Sequence, residues 1–233
     1  MKTTNRRLLS LSIHGLYLIT REPGLQTPDT DQSKRQSTAQ EFADQVEQAI
    51  FGGVRIIQYR DKSNDVTRRH AEATALHKVC QRHSIPLIIN DDVTLAATVQ
   101  ADGVHLGHDD LKLQQARNML GSNAIIGVSC YNQLDLAIQA EQGGADYVAF
   151  GSFFKSTTKP LATIATNALL QQAKNKLKIP IVAIGGITPE NGAELLDAGA
   201  DSLAVINGVF SQSNPRRAAS RYAQLFEPQH ASS

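Results

Sequence analysis

Residues 85–111 read IPLIINDDVTLAATVQADGVHLGHDDL. An apolar run, Pro86 to Ile89, stops at Asn90-Asp91-Asp92, and a short helical pattern follows over Val93 to Val99. A second apolar run, Gly103 to Leu106, stops at Gly107-His108-Asp109-Asp110. Two strands joined by a crossover of about ten residues are a parallel pair, since antiparallel neighbours need only a tight turn. Parallel strands point their carboxyl ends the same way, so both acid clusters fall on one rim. Acids gathered from separate loops suit a hard divalent cation.

Working outward, the same unit recurs. Gly15 to Thr20 reads as a first strand, followed by a polar, aperiodic loop over Arg21 to Ser37. Thr38 and Glu41 form a capping box for a helix with the stripe Phe42, Val46, Ala49 and Ile50, stopped by Gly52-Gly53. Val54 to Tyr59 is the second strand, running into Arg60-Asp61-Lys62, and a helix spans about Asp65 to His83. Ala124 to Val128 makes the fifth strand, with Ser129 at its end and Asn132 as cap of the next helix. Tyr147 to Phe150 is the sixth, before the polar loop Lys155 to Lys159 and a helix over Ala165 to Lys176. Ile181 to Ile184, closed by Gly185-Gly186, is the seventh; Thr188-Pro189 starts the helix after it. Leu203 to Ile206 is the eighth, and Ser213-Asn214-Pro215 opens a last helix with the stripe Ala218, Tyr222, Leu225 and Phe226.

An internal echo marks the repeat: Ala101-Asp102-Gly103-Val104, Ala145-Asp146-Tyr147-Val148 and Ala200-Asp201-Ser202-Leu203 each enter a strand after a short helix. Strands alternating with helices in this number predict an α/β fold, a single-domain (β/α)8 TIM barrel over residues 1–233. Residues 1–13 and the tail 228–233 are expected to be loose ends. An open doubly wound sheet fits less well, because no Gly-x-Gly-x-x-Gly turn follows the first strand.

Composition narrows the function. Hydrophobic residues make up 41% and charged residues 19%, as in ordinary globular chains. The net charge of +1 supplies no long-range field, which excludes nucleic acid as a favoured partner. No apolar run approaches the roughly 18 residues of a membrane span. Lys2, Arg6 and Arg7 precede Leu8-Leu9-Ser10-Leu11, but this stretch is too short for a signal peptide, so a cytoplasmic location is expected. Two cysteines exclude a disulfide scaffold; Cys80 reads as core and Cys130 follows a strand end.

In a barrel the carboxyl ends of the strands form the active rim. Here they bring Gln58, Arg60, Lys62, Asn90, Asp91, Asp110, Ser129, Ser156, Thr158, Lys159 and Asn207 together with Gly185-Gly186. Cations beside carboxylates suit a polyphosphate with Mg²⁺, held by Asp91 and Asp110. The glycine pair, on the strand-seven and strand-eight side, suits a monophosphate cradled by backbone amides. Asp91, Asp92, Asp109 and Asp110 all precede helices, where capping is the competing job. Two clusters exceed that need, which leaves one acid in each for the metal. His105 has the parity of a residue pointing into the barrel, as core or as ligand, whereas His70 and His77 sit on a helix surface.

In this order these residues resemble the thiamine-phosphate synthase family, over about Gly15 to Phe210. Gln58-Tyr59-Arg60-Asp61-Lys62 is similar to the family's Gln-x-Arg-x-Lys signature. Asn90-Asp91, Ala101 to Gly107 with Asp110, Gly127-Val128-Ser129, Ser156-Thr157-Thr158-Lys159 and Ala183 to Ile187 look like its other signatures. The resemblance implies a barrel enzyme that joins a hydroxymethylpyrimidine pyrophosphate to a thiazole phosphate, releasing pyrophosphate. It implies that Gln58, Tyr59, Arg60, Asp61, Lys62, Asn90 and Lys159 hold the pyrimidine substrate and its pyrophosphate, and that Ser129 contacts the pyrimidine amino group. Ser156, Thr157, Thr158, Gly186, Ile206 and Asn207 would hold the thiazole phosphate. Arg60, Ser129 and Lys159 would be the catalytic contacts, and Asp91 and Asp110 the Mg²⁺ ligands. Its partners would be these small molecules alone, or a further copy of the chain.

Four residues depart from the family pattern: Ser156 for threonine, Asp92 for a basic residue, His108 for glutamine and Asn207 for serine. Asp92 adds negative charge beside the metal ligand and is expected to weaken pyrophosphate binding. The alternatives are a thiazole tautomerase-like isomerase, which needs only the phosphate cradle, and a non-catalytic barrel that binds a phosphorylated metabolite.

Overall fold

The computed structural model describes residues 13–20, 32–107, 110–155 and 164–227, apart from the side chains of 32–37 and 110–112. Eight parallel strands pair in chain order and close on themselves: β1 (Gly15–Ile19), β2 (Val54–Tyr59), β3 (Leu87–Asn90), β4 (Gly103–Leu106), β5 (Ile125–Tyr131), β6 (Tyr147–Gly151), β7 (Ile181–Ile184) and β8 (Ser202–Val205). Around them run α1 (Gln32–Phe51), α2 (Val66–His83), α3 (Val93–Val99), α4 (Asp110–Leu120), α5 (Leu134–Gln142), α6 (Asn167–Lys176) and α7 (Gly192–Asp197). A short helix α8 (Asn207–Phe210) follows β8, and α9 (Pro215–Ala223) packs against α1.

The strand period of two sorts side chains into two cores. Leu16, Leu18, Ile57, Tyr59, Leu87, Ile89 and their counterparts face the helices. Tyr17, Ile19, Ile56, Ile88, Ile125, Tyr147, Val182 and Ala204 fill the interior. Ile13, read as part of a loose lead-in, is buried with the interior set.

The internal echo proves to be a clamp at the amino-terminal end of the barrel. In each copy the aspartate backbone N–H donates to a carbonyl on the preceding strand, and its carboxylate accepts from the same residue's N–H. The pairs are Asp102 with Leu87 (2.9 and 2.8 Å), Asp146 with Ile126 (2.7 and 2.8 Å) and Asp201 with Ile181 (2.8 and 2.9 Å). Asp146 is also bound at 2.6 Å by the half-buried Arg117. Asp146→Ala would leave that guanidinium without its carboxylate, held only by the carbonyls of Gly121, Ala124 and Gly144, and we expect a loss of about 3 kcal/mol in urea unfolding. A loss under about 1 kcal/mol would show that the clamp is ornamental.

Three boundaries differ from expectation. Helix α1 begins at Gln32, so Thr38 lies inside it rather than at its start. The polar run Gln32-Ser33-Lys34-Arg35-Gln36 contains good helix formers and no breaker, and propensity outweighs the missing apolar period. Strand β5 continues to Tyr131, which moves the α5 cap to Gln133, with no side-chain cap bond. Thr188-Pro189 leads into a turn closed by Thr188 N–H donating to Asn191 Oδ1 (2.7 Å), and α7 starts only at Gly192.

Candidate active site

Inside the barrel the interior tyrosines do more than fill space. Gln58 Nε2 donates to Tyr17 Oη (2.9 Å), Tyr17 Oη bonds Tyr147 Oη (2.7 Å), and Tyr147 Oη bonds His105 Nδ1 (3.0 Å). His105 Nε2 bonds Ser129 Oγ (2.8 Å), which reaches the rim. Gly127 makes this chain possible: a Cβ there would lie 2.0 Å from Tyr147 Cζ. His105 and Tyr147 also stack at 5.5 Å between centroids. The chain floors a cavity of about 900 Å³ that opens at the carboxyl ends of the strands.

Burial holds His105 at about 4, against a smaller upward pull from the Asp91 charge. The ring is therefore neutral at pH 7. In the unfolded chain it titrates near 6.5, so protons are taken up on unfolding between these values. Stability contributed by the neutral ring is present above about pH 6.5 and falls through that window, by about 3 kcal/mol once pH passes 4. NMR titration of the imidazole checks this; a midpoint near 6.5 would contradict it.

At the β2 end, Thr20 pins the chain by accepting from the Arg60 N–H (2.9 Å), and Arg60 lines the cavity. The two residues flanking Arg60 correct the expected contact set. Tyr59 points into the helix layer and donates to Glu72 Oε2 (2.7 Å). Asp61 is buried, accepting from Arg68 Nη2 (2.8 Å) and Ser63 N–H (2.8 Å). Burial works against its ionisation, but those donors outweigh it and hold its pKa below the ordinary carboxylate range. Neither residue faces the cavity, because the strand parity that sends Gln58 and Arg60 inward sends Tyr59 and Asp61 outward. Their task is to fix the loop that carries Arg60 and Lys62.

Lys62 and Asp91 meet above the cavity, Nζ to Oδ2 at 3.5 Å, and Asn90 Nδ2 donates to the same carboxylate oxygen (2.8 Å). Asp91 holds a left-handed φ of 61° and donates its N–H to His105 O (2.8 Å). Asp92 caps α3, accepting from Leu95 N–H (2.8 Å), and pairs with Arg69 Nη2 (2.7 Å). The charge that Asp92 adds is thus matched by Arg69 and turned from the rim. Asp110 opens α4, and its side chain lies outside the described residues. Ser156, Thr157, Thr158 and Lys159, like His108 and Asp109, also lie outside them. Lys155, just before that segment, lines the cavity.

The opposite side of the cavity carries Gly185, Gly186, Ile206 and Asn207. Gly185 and Gly186 hold φ values of 106° and 63°, and Asn191 Nδ2 donates to Gly186 O (3.2 Å). Phe154 N–H donates to Gly185 O (3.0 Å), so the loops after β6 and β7 are tied together. Loops after strands seven and eight with a short extra helix form a recurrent phosphate site of barrels. The sequence places Tyr17 and Tyr147 on the first and sixth strands and Lys155 in a polar loop, with no role for their side chains. Their inward parity with Gln58 and Ser129 was the available signal for the tyrosines. Cys130 faces the helix layer and has no place in the cavity.

Residues 30–209 match the family described as thiamine monophosphate synthase. The chain belongs to that family. It is 50% identical over 218 residues to the thiamine-phosphate synthase of Nitrosococcus oceani, covering 94% of this chain and 95% of that one. It is 50% identical over 212 residues to the thiamine-phosphate synthase of Thiobacillus denitrificans, covering 91% and 94%. A solved thiamine phosphate pyrophosphorylase from Pyrococcus furiosus superposes with a TM-score of 0.77 at 30% identity, covering 93% of this chain and 96% of that one. A geranylgeranylglyceryl phosphate synthase from Thermoplasma acidophilum, at 18% identity and a TM-score of 0.69, shares the fold alone.

Proposed function

We propose that this member of the thiamine monophosphate synthase family forms thiamine phosphate by Mg²⁺-assisted, dissociative displacement of pyrophosphate. The substrates are 4-amino-2-methyl-5-hydroxymethylpyrimidine pyrophosphate and 4-methyl-5-(2-phosphoethyl)thiazole. The observation that carries the reading is one cavity with two unlike ends. Gln58, Arg60, Asn90 and Ser129 stand on one side, and the Gly185-Gly186 turn with Asn207 on the other. That spacing suits a pyrimidine with its pyrophosphate facing a thiazole phosphate. The tautomerase alternative needs only the second end.

Arg60 and Lys62 supply positive charge where the pyrophosphate departs, and cationic donors stabilise charge that builds there. The methylene C–O bond breaks with its electron pair going to pyrophosphate, and the thiazole nitrogen lone pair forms the new C–N bond. Gln58 and Ser129 orient the pyrimidine through hydrogen bonds to its ring edge.

The Asp91 carboxylate at the rim, a hard oxygen donor, fits Mg²⁺, which keeps several waters and needs only one or two protein carboxylates. Asp91, with Asp110 from the next loop, would hold it. Bound there, the ion would offset charge on the leaving pyrophosphate.

Purified protein with both substrates and Mg²⁺ is expected to release pyrophosphate together with thiamine phosphate, and a chelator to stop it. No product at saturating substrates would overturn the reading.

A further inference from the structure

Charge is sparse on the walls of the cavity. Among the described residues that line it, only Arg60 and Lys155 carry a formal charge: His105 is neutral and no carboxylate takes part. The two cations stand on opposite walls. Arg60 directly follows β2 and Lys155 belongs to the loop after β6, and these strands lie four places apart in the closed ring of eight.

Backbone bonds hold Lys155 on the side of the glycine turn. Phe153 N–H donates to Ile184 O (3.2 Å) and Phe154 N–H to Gly185 O (3.0 Å), so the chain leaving β6 is stitched to the end of β7. Ser152 Oγ donates to Phe154 O (2.8 Å) and braces the same turn from within. The Lys155 carbonyl oxygen then lies 2.7 Å from where a Gly186 Cβ would stand, which puts the two backbones in contact. Lys155 is thus anchored at its main chain, while its side chain is exposed at the cavity mouth. No carboxylate among the described residues pairs with it. A flexible four-carbon stem lets the ammonium follow an anion seated on the turn.

The two ends of the cavity differ in what they need from a cation. The pyrophosphate end has Arg60 in the wall and Lys62 above it. The other end has a glycine turn, whose backbone amides offer partial charges only, against a phosphate monoester of about −1.5 to −2 at pH 7. We propose that Lys155 is the counter-ion of the thiazole phosphate, the residue that makes this end of the cavity select an anionic substrate. The inference rests on the synthase reading and deepens it. A charge-assisted bond from an ammonium to a phosphate oxygen is stronger than one from a neutral donor. It is made equally to the bound substrate and to the transition state, because the phosphate takes no part in the bond changes. Its loss therefore appears in KM rather than in kcat.

Lys155→Met keeps an unbranched apolar stem and removes the charge, and the exposed position leaves the packing untouched. KM for the thiazole phosphate is expected to rise at least about tenfold, the scale of one hydrogen bond to a charged group. KM for the pyrimidine pyrophosphate and kcat at saturation of both substrates should stay within about twofold of wild type. Lys155→Arg retains the charge and should bring KM for the thiazole phosphate back to within about threefold. Added salt should raise that KM in wild type and change it less in Lys155→Met, since an exposed charge pair is screened. A thiazole phosphate KM within about twofold of wild type in Lys155→Met overturns the proposal. A rise confined to the pyrimidine pyrophosphate also overturns it, because the charge then serves the opposite end. So does a rise that Lys155→Arg fails to reverse, which would mark a packing role. Wild type that forms no thiamine phosphate overturns the synthase reading and the role of Lys155 with it. An active wild type beside an unaltered Lys155→Met overturns the role of Lys155 alone.

Discussion

Asp91→Ala is expected to lower turnover by roughly 10²-fold or more while leaving the barrel folded, the scale set by losing one preorganised electrostatic group. The side chain is about half exposed, so its loss opens no cavity in a core. Its backbone conformation is secured by neighbours: the Asp91 N–H donates to His105 O, and Asp92, paired with Arg69, caps the helix that follows. Alanine at a φ of 61° adds only about 1 kcal/mol of strain. What disappears is the carboxylate that Asn90 orients and Lys62 approaches. Asp91→Asn sharpens the test, since it keeps the size and removes the charge. Both variants should raise the Mg²⁺ concentration for half-maximal rate at least about tenfold, and Asp110→Ala should behave alike. Steady-state kinetics against Mg²⁺, with unfolding curves alongside, separate this from a structural role. Near-normal turnover with a shallower unfolding midpoint would make Asp91 a loop residue and no metal ligand.

How much of this was legible beforehand follows from what sequence periodicity encodes. Strand parity and the Ala-Asp echo are local signals, and they predict the strands in order and the closed parallel topology. Position at the carboxyl ends of strands also assigns Gln58, Arg60, Asn90 and Ser129 to the rim, and all four line the cavity. A motif read as a contiguous block carries no parity, and this is why Tyr59 and Asp61 entered the expected contact set although their side chains face Glu72 and Arg68. The Tyr17–Tyr147–His105 chain was hidden for another reason. Its bonds join residues as far apart as 130 positions, and a tyrosine in an apolar run reads as filling until the partner of its hydroxyl is known. The same holds for Asp92. Its charge looked like a liability because Arg69, 23 positions earlier on α2, does not show as its partner until α2 and α3 are packed together.

At the other end of the cavity, Gly186→Ala is expected to raise KM for the thiazole phosphate by about 30- to 100-fold. KM for the pyrimidine pyrophosphate should stay within about twofold. A Cβ at this position would stand 2.7 Å from Lys155 O and 2.9 Å from Phe154 O, both backbone atoms of the loop after β6. Backbone cannot swing aside as a side-chain tip can, so one loop must shift. A φ of 63° adds about 1 kcal/mol for alanine, and the displaced loop must account for a similar amount to reach the expected change. The loop is not free to absorb it. Phe154 N–H is bound to Gly185 O, and Asn191 Nδ2 holds Gly186 O from the far side. The strain therefore falls on the amides that would cradle the phosphate, and on Lys155 beside them. Gln58 on β2, Arg60 directly after it and Ser129 on β5 stand outside the disturbed pair of loops, so the pyrimidine end keeps its geometry. Separate titration of each substrate reads the asymmetry directly. Equal rises in both KM values would mean that the two ends form one coupled site, and no rise would place the thiazole phosphate elsewhere on the rim.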